Sequence, residues 1–136
     1  MYELEMNGQM IPFNFGMGFL RQINKTLKRP LDGIKDATEN VGLRYMLADI
    51  VDGSPEAMVE VLFAANNGLE PRITKQELDD FIDNPDTDIE KLFEDVKGFL
   101  SKSNATKNEM KKVMKVVEEQ EELEKKMQEL LNQTQN

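Results

Sequence analysis

The chain contains no cysteine, no histidine and no tryptophan. Without cysteine it cannot form a disulfide, use a thiolate nucleophile or bind zinc through thiolates. Without histidine as well, a hydrolytic site would need serine with lysine or two paired carboxylates, and the sequence singles out no such pair. A glycine-rich phosphate loop is also missing. We therefore predict a protein that is not an enzyme and has no catalytic, cofactor-binding or metal-binding residues.

One acidic segment, from Asp83 to Glu94, has the length of an EF-hand calcium loop. Such a loop needs oxygen ligands at alternate early positions, a central glycine and a final glutamate. The third position here is Pro85 and the sixth is Asp88, so only the two ends fit. The segment is better explained as the end of one helix, a turn and the start of the next.

Long apolar runs are also missing, so the sequence predicts no membrane-spanning helix. The N-terminus lacks the basic segment and following apolar run of a signal peptide. The lack of cysteine suits the cytoplasm but does not identify a compartment.

The charge is strongly of one sign. Asp and Glu number 26 against 17 Lys and Arg, which gives a net charge of −9. Such a chain is poorly suited to nucleic acid, because phosphate contacts need clustered basic residues. Residues 21–29 hold four basic and no acidic side chains, whereas residues 77–95 hold nine acidic side chains and one basic. This separation either steers association with a second copy or a basic partner, or is only the solvated face of amphipathic helices.

The N-terminal residues predict a β-hairpin. Apolar and polar residues alternate over 2–6 and 11–15, and Asn7-Gly8 between them favours a two-residue turn. That turn fixes three pairs: Tyr2 with Phe13, Leu4 with Ile11, and Met6 with Gln9. Pro12 favours an edge strand because it has no N–H to donate. An isolated hairpin is only marginally stable, so it must pack on helices, pair with another chain, or both.

The rest of the chain predicts five or six helices, the first beginning near Met17. Later helices have start signals, namely Asp36–Glu39, Ser54-Pro55, Thr74–Glu77, Thr87–Glu90 and Thr106–Glu109. Stop signals follow at Pro30, Asp52-Gly53, Asn66–Gly68, Asn84-Pro85 and residues 101–105. Residues 40–66 are the most apolar part and are expected to hold the core.

The last helix differs from the others in its apolar pattern. A stripe of Met110, Val113 and Val117 fails at the acidic residues 118–122. A shorter stripe of Leu123, Met127 and Leu130 follows, shifted around the helix. We therefore predict a mainly α (α+β) fold: an N-terminal β-hairpin, five or six helices and a protruding C-terminal helix. Residues 1–105 are expected to form the hairpin and helical core domain, and residues 106–136 a charged helix and tail.

Methionine is unusually frequent, with nine residues. Its flexible side chain suits both irregular cores and surfaces that adapt to partners. We predict a protein interface in the hairpin and the last helix, formed by Tyr2, Leu4, Phe13, Phe15, Met110, Val113, Val117, Leu123 and Met127. The four hairpin residues either contact a partner or simply cover the helical core.

Four consecutive segments carry a resemblance to a known family: FNFGMGFLRQINK, NVGLRYMLADIVDGSPEAMVEVLFAANNG, PRITKQELDDFID and DTDIEKLFEDVKGFLSKSNATK. Over about residues 1–108 the chain resembles the tail assembly chaperones of phages and prophages with long, non-contractile tails, from hosts with Gram-positive envelopes. The resemblance implies a helical chaperone that binds the tape measure protein, keeps it soluble and helps the tail tube polymerise around it.

The resemblance implies further properties. Such a protein acts in the cytoplasm of the infected host and is absent from the finished virion. It works in many copies, so a homo-oligomer is expected. Neither nucleic acid nor a membrane is expected as a partner. A programmed ribosomal frameshift would produce a longer form that contacts the tail tube protein. Lys125-Lys126, near the end of the frame, or Lys111-Lys112 could be encoded by a slippery run of adenines.

A second interpretation of the residues remains open. The chain could instead be an acidic helical adaptor, or a regulator of the DNA-mimic or antirepressor type that uses residues 77–95. A mimic should bind a DNA-binding protein in a salt-sensitive way. A tail chaperone should co-purify with the tape measure protein instead.

Overall fold

The computed structural model of the chain describes residues 1–26 and 41–134. In this part of the chain, two strands are followed by six helices: β1 (Tyr2–Met6), β2 (Gln9–Phe13), α1 (Met17–Thr26), α2 (Val41–Val51), α3 (Pro55–Ala65), α4 (Lys75–Asp83), α5 (Ile89–Lys102) and α6 (Lys107–Thr134). The predicted mainly α fold with an N-terminal hairpin and a long C-terminal helix is confirmed. Two predicted signals, the stop at Pro30 and the capping box at 36–39, lie outside the described residues.

The hairpin has the predicted register. Tyr2 pairs with Phe13, Glu3 with Pro12, Leu4 with Ile11 and Met6 with Gln9. At the turn, Asn7 and Gly8 have φ angles of 53° and 77°. Positive φ at both central residues is what a type I′ turn requires, and this turn matches the twist of the strands. Local turn chemistry therefore determines which hairpin side chains share a face.

One hydrophobic core joins the hairpin to the helices. Helix α3 lies within it, and Met58, Val61 and Leu62 are fully buried. Ile11 and Phe13 of β2 belong to the same buried cluster. The hairpin is thus stabilised by packing on helices, as its marginal intrinsic stability requires.

A buried asparagine links three parts of this core. The side-chain amide of Asn66, directly after α3, donates to the carbonyls of Pro12 (2.9 Å) and Pro71 (3.1 Å). Its oxygen accepts from the Ile73 amide (2.8 Å) and the Arg72 guanidinium (3.0 Å). Because Asn66 is completely buried, these bonds replace water for every polar atom of the side chain.

Two of the predicted start signals have the expected geometry. The Ser54 hydroxyl accepts from the Ala57 amide, with Pro55 opening α3. Thr74 and Glu77 form a complete capping box at the start of α4. Both motifs involve only residues within one helical turn, which is why the sequence was sufficient to predict them.

The predicted capping box at Thr87–Glu90 is wrong. The N-cap of α5 is Asp88, whose carboxylate accepts from the Lys91 amide. The Thr87 hydroxyl instead donates to the carbonyl of Phe81 at 2.6 Å, across the turn from α4. Two adjacent residues could serve as caps here, and a contact with the preceding helix decides between them.

Helix α6 begins where predicted, but its start signal works differently. The Thr106 hydroxyl is buried and donates to the carbonyl of Leu100 at 2.6 Å. The Glu109 carboxylate accepts from Arg44 of α2 at 3.1 Å and from Lys112 at 3.4 Å. Burial raises the pKa of Glu109, but the hydrogen bond and charge of Arg44, followed by the charge of Lys112, bring it below its ordinary value. These side chains tie α6 to α5 and α2.

Candidate interaction surfaces

The structure divides the four predicted hairpin residues into two pairs. Phe13 and Phe15 are buried in the core, whereas Tyr2 and Leu4 are half-buried at its edge. The Tyr2 ring lies 5.0 Å from the ring of Phe99 and 6.2 Å from that of Phe13. Tilted aromatic pairs at such distances are favourable. Only Tyr2 and Leu4 of this set therefore present surface to a partner.

Tyr2 and Leu4 line an open groove of about 520 Å³ between β1, α4 and α5, here called the hairpin groove. Its apolar residues are Tyr2, Leu4, Met6, Phe81 and Leu92. Six carboxylates also line it, from Glu5, Glu77, Asp80, Asp86, Asp88 and Asp95, together with the ammonium of Lys91. An apolar floor with an acidic rim suits a segment that is apolar on one side and basic on the other.

The acidic rim comes largely from one stretch of sequence. Five of its carboxylates belong to residues 77–95, the segment with nine acidic side chains and one basic. The sixth, Glu5, comes from β1 on the far side of the groove. The number of acidic residues in 77–95 identified the acidic side of the groove. No pattern within that segment indicated that β1 would form the other side.

The Tyr2 hydroxyl donates to Asp95 Oδ2 at 3.3 Å, and both residues line the groove. Burial, followed by the negative charge and the hydrogen bond of Asp95, raises the pKa of Tyr2 to about 12. A neighbouring carboxylate disfavours the phenolate because both would carry negative charge. The contact joins the first strand to α5.

We expect Tyr2 to ionise near pH 12, above its ordinary value of 10. A group whose pKa is raised by folding contributes stability that is complete below its unfolded pKa and lost as the pH rises through its folded pKa. That contribution should therefore be lost between pH 10 and about 12. The difference in phenolate absorbance between the wild type and Tyr2→Phe isolates this titration. Circular dichroism must show that both proteins remain folded, and ionisation at the ordinary value would contradict the burial of Tyr2.

Helix α6 carries the second candidate surface. Met110 and Val113 are buried, and Val117 is half-buried, on the part that packs against α2 and α5. Leu123 and Met127 are exposed, at 60% and 58%. The predicted residues of this helix therefore belong partly to the core and partly to a free face.

Three exposed apolar residues of α6 are not among the predicted interface residues. Val116, Leu130 and Leu131 are all more than half exposed. Together with the two predicted residues they form what we call the α6 stripe: Val116, Leu123, Met127, Leu130 and Leu131. Every residue from 118 to 134 is exposed. The coiled-coil period of 3.5 residues adds Val116 to the apolar stripe of Leu123, Met127 and Leu130 in the sequence.

Next to the stripe lies a smaller groove of about 380 Å³ between α2 and α6, the α2–α6 groove. Its apolar walls come from Ala48, Val113, Val116 and Val117. Gln120 lines the end of the groove nearest the exposed part of α6. The groove is also lined by the charged side chains of Arg44, Asp52 and Lys112, and it shares Val116 with the α6 stripe.

The described residues were also compared with the requirements of a metal site and of a membrane-spanning helix. Within residues 1–26 and 41–134, no cluster of three or more acidic side chains is arranged to hold a metal ion. Over the same residues, no helix has both the length and the apolar character to cross a membrane.

The comparison with known proteins places the chain in a family. A protein-family model described as "Phage tail assembly chaperone protein, TAC" matches residues 3–115. No curated protein and no solved structure matches the chain. The matched part includes nearly all of the hairpin groove, whereas the whole α6 stripe lies beyond it.

Proposed function

We propose that this chain, which belongs to the phage tail assembly chaperone family, binds the tape measure protein, keeps it soluble and promotes polymerisation of the tail tube around it. A tape measure protein is long and helical, and its apolar stripes would aggregate if left uncovered. Its chaperone needs an apolar contact surface that remains compatible with high solubility. The net charge of −9 favours solubility.

The hairpin groove is the observation that supports this role most directly. Its floor can receive apolar side chains from one face of a client helix, and its six carboxylates can pair with flanking Lys or Arg. The groove lies almost entirely within the part of the chain that matches the family. We therefore assign client binding to the hairpin groove, with Tyr2 and Leu4 as its contacts from the hairpin.

The groove is small compared with a long helical client, so one chain can cover only a short segment. Covering the client then requires many copies, each with its own groove.

We place this action in the cytoplasm of the infected host and expect the protein to be absent from the finished virion. A frameshifted longer form would bring the tail tube protein to the same assembly. A slippery heptamer at Lys125-Lys126 with an overlapping downstream frame would support that form, and the gene sequence tests it directly.

The test of the proposal is co-expression with the tape measure protein encoded by the same phage. We expect the tape measure protein to move from the insoluble to the soluble fraction and to co-purify with several copies of this chain, counted by native mass measurement. An insoluble client with no co-purification would contradict the proposal. Salt-sensitive capture of a DNA-binding protein instead would favour the alternative regulator.

Charge reversal in the hairpin groove should weaken client binding. We expect Glu5→Lys with Asp80→Lys to lower affinity for the tape measure protein about tenfold, because two rim carboxylates become repulsive toward basic client residues. Both side chains are exposed, so folding should be retained. The matched control is Glu70→Lys with Glu94→Lys, which makes the same change of charge at exposed positions outside the groove. An equal loss in both variants would assign the effect to net charge, and no loss in either would exclude the groove.

A further inference from the structure

The exposed part of α6 has the residue spacing of a coiled coil. In a heptad written abcdefg, Gln120, Met127 and Thr134 occupy successive a positions, and Val116, Leu123 and Leu130 occupy successive d positions. Val113 extends the a series back into the core. Apolar residues at alternating spacings of three and four form a seam that normally faces a second helix.

No other described part of the chain covers this seam. Leu123, Met127 and Leu130 are each about 60% exposed on a helix whose residues are solvated from 118 to 134. That segment is about 25 Å long at the usual rise of an α-helix. Most of the stability of a helix in a protein comes from packing of its apolar face, and every residue of this segment is exposed. A partner helix would therefore stabilise it.

The charges beside the seam distinguish between the two orientations of a second copy. Glu119 and Lys126 occupy g positions, and Glu124 occupies an e position. In a parallel pair, Glu119 would face Glu124 of the second copy, and the contact would be repulsive. In an antiparallel pair with Gln120 opposite Leu123, Glu119 instead faces Lys126 of the second copy. By symmetry this attractive contact forms twice.

The α2–α6 groove fits the same antiparallel register. With Gln120 opposite Leu123, Met127 of the second copy lies opposite Val116, and Leu130 of the second copy lies opposite Val113. Val116 and Val113 are walls of the α2–α6 groove. The end of each α6 would therefore enter the groove of the other copy, which extends the buried apolar surface beyond the solvated segment.

We propose that α6 pairs with α6 of a second copy as an antiparallel coiled coil in this register. The seam residues Val116, Leu123, Met127 and Leu130 form its apolar layers, and two Glu119–Lys126 contacts set its direction. This pairing uses a surface separate from the hairpin groove, so it stands whether or not the client is the tape measure protein.

Sedimentation of the full chain over a concentration series tests the pairing without any client. The wild type should be a reversible dimer, and Leu123→Glu should be monomeric while keeping the cooperative thermal unfolding transition of the hydrophobic core. The matched control Glu122→Gln alters a neighbouring residue on the outward face and should leave the dimer intact. A wild type that stays monomeric at every concentration would overturn the proposal.

Charge exchange tests the direction of the pair. Glu119→Lys alone and Lys126→Glu alone should each raise the dimer dissociation constant about tenfold, and the double variant should restore it. Glu118→Lys and Lys125→Glu make the same changes on the outward face and serve as controls. In a parallel pair, Glu119→Lys would tighten the dimer by removing the repulsion with Glu124, and this result would refute the antiparallel arrangement.

Single cysteines test the register, and the chain has no native cysteine to interfere. On oxidation, a mixture of Val116→Cys and Met127→Cys should give the mixed disulfide, because these positions face each other. Each variant alone should remain uncrosslinked, since identical positions would lie about 16 Å apart along the axis. Disulfides within each variant and none between them would indicate a parallel pair and overturn the proposal.

Discussion

Replacing Asn66 with aspartate is expected to lower the free energy of unfolding by about 3 kcal/mol or more. The two side chains have the same shape, but the exchanged group is the amide that donates to the carbonyls of Pro12 and Pro71. Aspartate would place an oxygen against both carbonyl oxygens in a site with no solvent exposure. The acceptor bonds from Arg72 and Ile73 can remain. Urea unfolding followed by circular dichroism measures the loss.

The neighbouring residue supplies a matched control for this substitution. Asn67 is exposed, and its amide makes one long contact of 3.4 Å with Gln22. Asn67→Asp should therefore change the free energy of unfolding by no more than about 0.5 kcal/mol. An equal decrease in the free energy of unfolding at the two positions would show that the buried hydrogen bonds of Asn66 do not stabilise the contact between β2, the end of α3 and residues 71–73.

Replacing Phe13 with alanine is expected to cost about 3–5 kcal/mol of stability. Phe13 is fully buried in the cluster that joins the hairpin to the helices, and its ring packs against that of Tyr2. Truncation removes a large apolar surface and leaves a cavity that its neighbours fill only in part. Thermal and denaturant unfolding of the full chain measure this cost.

Met10 is the control on the same strand. It is 53% exposed and pairs with Glu5 on the outer face of the hairpin. Met10→Ala should cost less than about 1 kcal/mol. If Phe13→Ala keeps wild-type stability but loses client binding, Phe13 contacts a partner and is not a core residue. Loss of stability would support its role in covering the helices, which the sequence alone left undecided.

The elements that were predicted correctly depend on a few neighbouring residues. Asn7-Gly8 adopts positive φ at both positions because the two-residue turn demands it, and the strand register follows from that turn. Ser54 and Thr74 cap their helices through bonds within one turn. Such interactions need no information from the rest of the fold.

The sequence is insufficient where a side chain bonds to a partner outside its own helical turn. Thr87 has the right spacing for a helix cap, but its hydroxyl bonds to the carbonyl of Phe81, and Asp88 becomes the cap. Asn66 resembles an ordinary helix stop in the sequence, yet its amide reaches Pro12, 54 residues away. A local pattern cannot reveal a partner that only folding brings near.

The same distinction applies to the two candidate surfaces. The sequence by itself determined the hairpin register, most of the helix boundaries, the acidic stretch from 77 to 95 and the apolar spacing of the last helix. Only the tertiary structure decided that Phe13 is buried while Tyr2 lines a groove, and that Met110 is buried while Leu123 is exposed. The physical reason is that turns, caps and periodicity depend on neighbours along the chain, whereas burial depends on every element that packs around a side chain.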